Sequence, residues 1–145
     1  MNFQNIILRF AIISFILAVI PFSAYSENQK TVIYFFWGDG CPHCAEEEVF
    51  LQELKVKYPG IEIVELETWY HPANAKIYQD LVKAYNINPT GVPGTFVNDK
   101  VWIGYSSEIG SQIEDEVISC QARACVNPIN KLYPSSQELN NSDGN

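Results

Sequence analysis

The first third of the predicted core consists of a long apolar run followed by a segment with helical periodicity. Residues 31–37 form a nearly unbroken run of apolar and β-branched side chains, which is typical of a strand buried on both faces of a parallel sheet. A Gly-Asp-Gly segment at residues 38–40 ends this run. A helix is predicted to begin at Cys41 and Pro42, because proline is favoured in a first helical turn, and to end before Gly60. Its inner face is predicted from an apolar stripe at helical spacing, comprising Ala45, Val49, Phe50, Leu54 and Tyr58.

A second strand and a second helix follow. Residues 61–66 are predicted to form the strand, and Pro72 is predicted to open the helix, which ends before Pro89. The inner face of this helix is predicted to comprise Ile77, Leu81, Ala84 and Tyr85.

The last part of the predicted core is a hairpin and a helix. Residues 95–97 and 100–105 are predicted to form two strands joined by a turn at residues 98–99. Ser106 or Ser107 can cap the last helix. The order strand, helix, strand, helix, strand, strand, helix predicts an α/β fold, in which a small mixed sheet has helices on both faces.

The two ends of the chain differ in character from this core. Arg9 precedes an apolar run over residues 10–20, and Ala24 and Ser26 lie at the positions that a signal peptidase reads. We therefore predict a secretory signal peptide over residues 1–26; the alternative is an uncleaved membrane anchor, for which the run is short. One domain is predicted over residues 27–126 and a flexible polar tail over residues 127–145. The expected location is the periplasm or another extracytoplasmic, oxidising compartment.

Composition and charge narrow the classes of function. Of the 145 residues, 47% are hydrophobic and 13% are aromatic, which is enough to build one packed domain. The formal net charge is −8. An acidic surface argues against nucleic acid or anionic lipid as the main partner, so no nucleic acid is expected to bind.

The motif Cys41-Pro42-His43-Cys44 is the most informative candidate for chemistry. Two cysteines at this spacing and at a helix start can close a disulfide, and the helix N-terminus favours a thiolate on the first. Cys41 is therefore predicted to be the attacking thiol and Cys44 the resolving thiol, while Pro42 and His43 tune the couple. No cofactor is expected.

A C-x-x-C pair also has other uses. It could supply half of a zinc site, since zinc takes four ligands, or with His43 it could hold copper or zinc. It could also be an inert structural bond. The redox interpretation is favoured over a metal site because the motif follows a buried strand and opens a helix.

At FFWGDGCPHC, GVPGTFV and KVWIGY the sequence resembles the thioredoxin superfamily, over about residues 31–124. The resemblance implies a minimal, glutaredoxin-sized thioredoxin-like fold, with the order βαβ-α-ββα and a four-stranded mixed sheet flanked by helices. It also implies that Pro93 follows a cis peptide bond and faces the disulfide, and that Val92 offers its backbone to the substrate. The combination of Cys-Pro-His-Cys with Val-Pro is similar to that of DsbA-type oxidases.

Two departures from these relatives bear on mechanism. The helical insertion of DsbA has no room between Leu66 and Pro93. The position of the buried aspartate of thioredoxin is Phe35 here. Glu65, on the neighbouring strand, could replace that aspartate; the alternative, which we favour, is that Glu65 lies at a solvated strand end, because unpaired buried carboxylates are rare. A solvated helix face is the prediction for residues 46–48, all of which are glutamate.

The remaining cysteines, Cys120 and Cys125, are predicted to form a structural disulfide. On a continuous helix their Cα atoms would lie about 8–9 Å apart, whereas a disulfide tolerates about 7 Å. The helix must therefore end or distort between them. The alternative is a buried Cys120 with a loose thiol at Cys125.

The leading functional hypothesis is an exported thiol–disulfide oxidoreductase acting on cysteine-containing exported proteins. It is expected to oxidise rather than reduce, because His43 can stabilise a Cys41 thiolate and so the reduced form. The alternatives are a reductase or isomerase recharged by a membrane partner and, from a different class, the copper- or zinc-binding module.

Overall fold

The computed structural model describes residues 30–88 and 91–133. The predicted signal peptide over residues 1–26 lies outside the described residues, as does the end of the predicted tail, residues 134–145. No helix in the described part of the chain is long and apolar enough to cross a membrane. The elements, in chain order, are β1 (Thr31–Trp37), α1 (Pro42–Lys57), β2 (Ile61–Glu67), α2 (Pro72–Ala84), β3 (Gly94–Val97), β4 (Lys100–Ile103), α3 (Ser107–Ala122) and a 3-10 helix (Pro128–Lys131).

The four strands form one mixed sheet in the order β2-β1-β3-β4. β1 pairs parallel to β2, with Thr31 opposite Ile61, and antiparallel to β3, with Phe36 opposite Gly94. β3 pairs antiparallel to β4. The predicted α/β architecture is therefore confirmed. Because β1 and β3 are antiparallel neighbours, the carboxyl end of β1 and the amino end of β3 lie at the same end of the sheet. This brings the C-x-x-C motif close to Pro93.

Alternation along the strands divides the interior into two apolar cores. Ile33 and Phe35 of β1 pack with α1 and α3 on one face of the sheet. Phe36 of β1 and Phe96 of β3 point to the opposite face and pack with α2 and the 3-10 helix. Because β1 is covered on both faces, its sequence is an uninterrupted apolar run instead of an alternating one.

The buried face of α1 differs from the predicted stripe. Its buried residues follow the spacing 44, 47, 51 and 54, and one of them is Glu47. Val49, which was predicted to face inward, is 60% exposed. The prediction was wrong here because a glutamate occupies an inward position and interrupts the apolar periodicity.

The C-terminal segment up to Tyr133 packs onto the domain, although a flexible tail was predicted from residue 127. Pro128 is buried, and Ile129 and Leu132 pack against the core beside α2. The backbone N–H of Val126 donates to Asn98 Oδ1 at 3.0 Å. These contacts extend the packed domain beyond the boundary predicted after residue 126, because a single apolar turn is too short to show periodicity in the sequence.

Candidate active site

The turn between β1 and α1 places Cys41 at the N-terminus of the helix. The backbone N–H of Cys41 donates to the Gly38 carbonyl oxygen at 3.1 Å, which closes a β-turn. Gly40 has a φ of 79°, a conformation that favours glycine. Cys41 is the N-cap and Pro42 begins the helix, as predicted. The Cys44 backbone N–H donates to Cys41 Sγ at 3.2 Å, so this sulfur satisfies a free donor of the first turn.

Cys41 and Cys44 form a disulfide whose Cα atoms are 5.2 Å apart. Cys41 is 8% exposed and Cys44 is 3% exposed. An approaching sulfur atom therefore reaches Cys41 more easily. When this bond is reduced, the helix N-terminus and the N–H of Cys44 would both favour negative charge on the sulfur of Cys41.

A second chain segment, at Val92 and Pro93, completes the site. The peptide bond between them is cis, the conformation that the resemblance implied. The carbonyl oxygen of Val92 lies 3.9 Å from Cys41 Sγ. The Pro93 carbonyl oxygen accepts a hydrogen bond of 2.7 Å from the backbone N–H of Gly104, which anchors the segment to the residue after β4.

A cavity of about 290 Å³ opens beside the disulfide. It is lined by Phe35, Trp37, Gly38, Asp39, Gly40, Cys41, Pro42, Cys44, Ala45 and Glu48. A larger cavity of about 430 Å³ lies between β4 and α3 and has no cysteine in its lining. The smaller cavity is therefore the one relevant to sulfur chemistry.

His43 lies on the solvent side of the site. Its side chain is 66% exposed, and Nδ1 lies 3.5 Å from Glu46 Oε2. The contact predicted for His43 is with the Cys41 thiolate of the reduced protein, and it stays a prediction because the disulfide is closed in this structure. In this state the acidic partner of His43 is its neighbour one helical turn along.

Glu47 is a buried carboxylate beneath the disulfide, which corrects the prediction of a solvated face for residues 46–48. It is 0% exposed, and it lies one turn after Cys44 on the same helix face. Its Oε1 accepts a hydrogen bond of 2.5 Å from Thr95 Oγ1, while Oε2 has no hydrogen-bond partner among the described residues. Burial raises the pKa of Glu47 to about 7, and the hydrogen bond from Thr95 offsets this only in part.

Glu65 lies in solvent, where its Oε1 accepts a hydrogen bond of 3.1 Å from Gln52 Nε2. This agrees with the favoured prediction of a solvated strand end. The buried carboxylate that follows Cys44 on the same helix face is Glu47 of α1, whereas Glu65 of β2 is exposed. The inward spacing of Glu47 relative to Cys44 is the sequence signal that could have identified it.

Glu67, at the carboxyl end of β2, connects the loop before α2 to the turn before α1. It is 8% exposed and accepts hydrogen bonds from the backbone N–H groups of Trp69, Tyr70 and Asp39 at 2.8, 2.9 and 3.4 Å. His71 Nδ1 lies 2.7 Å from its Oε2. Burial raises the pKa of Glu67, but these partners outweigh burial and hold the pKa at about 2. Sequence reasoning missed this residue because most of its partners are backbone groups.

Cys120 and Cys125 form a second disulfide, with Cα atoms 5.3 Å apart. α3 ends at Ala122, between the two cysteines, as the geometric argument required. Among the described residues, Glu116 and these two cysteines are the one group whose ligand atoms are close enough to hold a metal ion. Both sulfurs are already bonded to each other, and Glu116 is paired with Lys100 and Arg123. His43 does not join Cys41 and Cys44 in such a group.

Comparison with known proteins supports the fold. No family model matches the chain, and no curated protein matches it. A thiol:disulfide interchange protein DsbE from Chlorobium tepidum is similar in structure, with 13% identity, a TM-score of 0.50 and coverage of 65% of this chain and 82% of that chain. Two further structures have lower TM-scores. They are a thioredoxin-like protein from Clostridium perfringens (19% identity, coverage of 70% of this chain and 90% of that chain, TM-score 0.47) and StoA from Bacillus subtilis (18% identity, coverage of 60% and 81%, TM-score 0.40). The fold is thioredoxin-like, with a C-x-x-C pair at the start of its first helix.

Proposed function

We propose that this protein is a thiol–disulfide oxidoreductase that exchanges disulfides with cysteine-containing exported proteins outside the cytoplasm. The observation that carries the proposal is the Cys41–Cys44 disulfide, which caps α1 and lies beside the carbonyl of Val92. Export is supported by the signal-peptide pattern before residue 27. Val92 and Pro93 border the disulfide and are proposed to contact the backbone of the substrate.

Oxidation of a substrate would proceed through two attacks by thiolates. A substrate thiolate attacks Cys41 Sγ, a mixed disulfide forms, and the Cys41–Cys44 bond breaks with its electron pair passing to Cys44 Sγ. A second thiolate of the substrate then attacks the substrate sulfur of the mixed disulfide, and Cys41 leaves as a thiolate. The substrate loses two electrons and two protons, and the couple gains the electrons. A membrane redox partner is proposed to restore the disulfide.

Glu47 is proposed to exchange the proton of Cys44. Cys44 is 3% exposed, so a thiolate released there is poorly solvated and needs a nearby proton. Glu47 lies one helical turn away, with one oxygen lacking a hydrogen-bond partner among the described residues. With a pKa of about 7, Glu47 is partly protonated at neutral pH, so it can give a proton to Cys44 or take one from it.

The proposed direction is oxidation, and it rests on groups that stabilise the reduced form. The N–H of Cys44 already points at Cys41 Sγ, and it would donate to the thiolate without rearrangement. His43 is two residues after Cys41 and is exposed, so it can rotate from Glu46 toward the thiolate when the bond opens. Stabilising the reduced form raises the reduction potential of the couple.

Cysteine replacement tests the proposed function. Cys44→Ala should accumulate mixed disulfides with exported proteins, because the Cys41 thiolate can still attack a substrate disulfide and no neighbouring thiol then releases the substrate, and Cys41→Ala should not. Mass spectrometry of alkylated, unreduced samples measures both. Equal trapping by the two variants would contradict the assignment of Cys41 as the attacking thiol. Stoichiometric copper or zinc on the reduced protein would favour the metal-binding module instead.

A further inference from the structure

Two exposed aromatic side chains lie in the loop between β2 and α2, which Glu67 connects to the turn before α1. Trp69 is 54% exposed and Tyr70 is 72% exposed. We call these two residues the aromatic shelf. Large aromatic side chains supply much of the binding energy when proteins bind polypeptides, and they do so best when they are held rigidly.

Trp69 packs against the first residue of the β-turn that ends at Cys41. A Cβ atom added to Gly38 would overlap the six-membered ring of the Trp69 indole, so this ring lies directly on the Cα atom of Gly38. Gly38 and Cys41 are the first and fourth residues of the β-turn, which keeps their Cα atoms within about 7 Å. Trp69 therefore lies against the first residue of the turn that carries Cys41, in the segment that follows β2, while Val92, which precedes β3, approaches Cys41 itself.

Glu67 holds the shelf in place before any ligand binds. Its carboxylate accepts the backbone N–H groups of both Trp69 and Tyr70, and it also accepts the N–H of Asp39 from the turn that carries the site. The backbone that carries the shelf and the redox turn are thus held by one buried carboxylate, and the indole ring of Trp69 also packs on Gly38. A surface that is already ordered loses less conformational entropy when it binds a partner.

We propose that Trp69 and Tyr70 determine specificity by binding an aromatic or large apolar side chain of the substrate, two or three residues from the cysteine that exchanges with Cys41. This inference rests on the proposed function. An extended chain covers about 3.3–3.6 Å per residue, so two or three residues span from Cys41 to the far face of the indole. Folded proteins bury such side chains and unfolded chains expose them. The shelf therefore selects unfolded cysteine-containing segments.

A pair of dithiol peptides tests the shelf. The peptides are identical except for Phe or Ser two residues from one cysteine, and stopped-flow mixing with the oxidised protein gives the second-order rate of each thiol–disulfide exchange. The wild-type protein should oxidise the Phe peptide about tenfold faster, which corresponds to one well-placed aromatic contact of about 1.4 kcal/mol. Trp69→Ala and Tyr70→Ala should each lower this ratio to about threefold or less.

Two further variants keep the test interpretable. Trp69→Phe retains an aromatic face and should keep most of the preference, even if Trp69→Ala fails to fold. Val56→Ala removes an apolar side chain that is 82% exposed near the other end of α1, about 20 Å away along the helix, and should leave the ratio unchanged. A wild-type ratio near one, or a ratio that Trp69→Ala does not lower, would overturn the shelf. Failure of the wild-type couple to exchange even with glutathione would instead reject the proposed function.

Discussion

Two carboxylates near the disulfide show how strongly the partners of a residue determine its charge. Glu47 and Glu67 are both nearly removed from solvent, at 0% and 8% exposed. Burial is the largest influence on each, yet the pKa of Glu47 rises to about 7 and that of Glu67 falls to about 2. Glu47 has one neutral hydroxyl as its partner, whereas Glu67 has three backbone N–H groups and a histidine. Only the second set compensates for the lost water.

The raised pKa of Glu47 predicts a pH-dependent cost in stability. Between pH 4.5 and about 7 the unfolded chain has already released this proton while the folded protein still holds it. The contribution of Glu47 to stability is therefore greatest below pH 4.5, falls as the pH rises, and is constant above about pH 7, after a total loss of about 3 kcal/mol. Glu47→Gln should remove this slope and should be more stable than the wild type at pH 8. Urea unfolding from pH 4 to pH 8 measures it.

The matched control for Glu47→Gln is Glu65→Gln, at an exposed carboxylate. This variant should leave the pH dependence of unfolding as it is in the wild type. The idea that Glu47 is protonated in the folded state is contradicted if Glu47→Gln and the wild type lose stability in parallel between pH 4.5 and 7. A slower opening of the Cys41–Cys44 disulfide by a substrate thiolate in Glu47→Gln would separately support the role of Glu47 in proton exchange with Cys44.

At the scale of elements, the strands and helices could be predicted from two signals in the sequence. One is the apolar run of a strand that is buried on both faces, and the other is the proline that begins a helix. β1 was predicted without error, and α2 begins at Pro72 as expected. β4 ends at Ile103, two residues earlier than predicted, since Gly104 has a φ of 81° and donates to the Pro93 carbonyl. Hydrophobic pattern alone does not reveal such a tertiary hydrogen bond.

The parts of the candidate site that neighbouring residues form could be predicted from the sequence. The parts that depend on contacts between residues far apart in the sequence were missed. The C-x-x-C motif and its place at a helix start follow from adjacent residues. The inward position of Glu47 depends on Thr95, which is 48 residues away. The buried position of Glu67 depends on the N–H of Asp39, 28 residues away. A glutamate is assigned to solvent by default, and only the packed fold supplies the partners that reverse this assignment.

A buried glutamate of α3 forms a hydrogen bond and ion pairs that connect this helix to the β3–β4 turn and the start of β4. Glu116 is 2% exposed and accepts a hydrogen bond of 2.8 Å from Asn98 Nδ2, with Lys100 and Arg123 paired to its oxygens at 2.6 and 3.1 Å. Burial raises the pKa of Glu116, but these partners outweigh burial and lower the pKa. The Cys120–Cys125 disulfide fixes the chain that follows this cluster.

Removing the second disulfide should therefore cost stability without affecting chemistry. A disulfide that closes a loop of about six residues lowers the conformational entropy of the unfolded chain, and this stabilises the folded protein by about 2 kcal/mol. The double variant Cys120→Ala, Cys125→Ala should unfold about 8–16 °C below the wild type, and its rate of exchange with glutathione at Cys41 should be unchanged. Thermal unfolding and exchange kinetics measure the two effects. A loss of exchange activity in a folded double variant would show that this bond takes part in the redox cycle.

At the scale of the whole molecule, the redox state of one bond and the stability of the fold are linked. The reduced and oxidised forms share the same unfolded chain, apart from the Cys41–Cys44 bond. Any group in the fold that stabilises the Cys41 thiolate therefore raises the reduction potential and also makes the reduced protein harder to unfold. The helix N-terminus and the N–H of Cys44 act in this direction.

The last prediction is that the reduced protein is the more stable form. If Cys41–Cys44 is an oxidant, equilibration with glutathione should give a potential above about −230 mV, the lower limit of the glutaredoxin range. The form reduced only at Cys41 and Cys44 should then unfold at a higher temperature than the oxidised form, by about 4–8 °C for each kcal/mol. His43→Ala should lower the potential, and each 30 mV lost should remove about 1.4 kcal/mol of this difference in stability. The control for both the potential and the difference in stability is Glu62→Gln, a change at an exposed acidic residue far from the site. A potential below that limit, or an oxidised form that unfolds later than the reduced one, would reverse the assigned direction and favour a reductase, because the fold would then stabilise the disulfide instead of the thiolate.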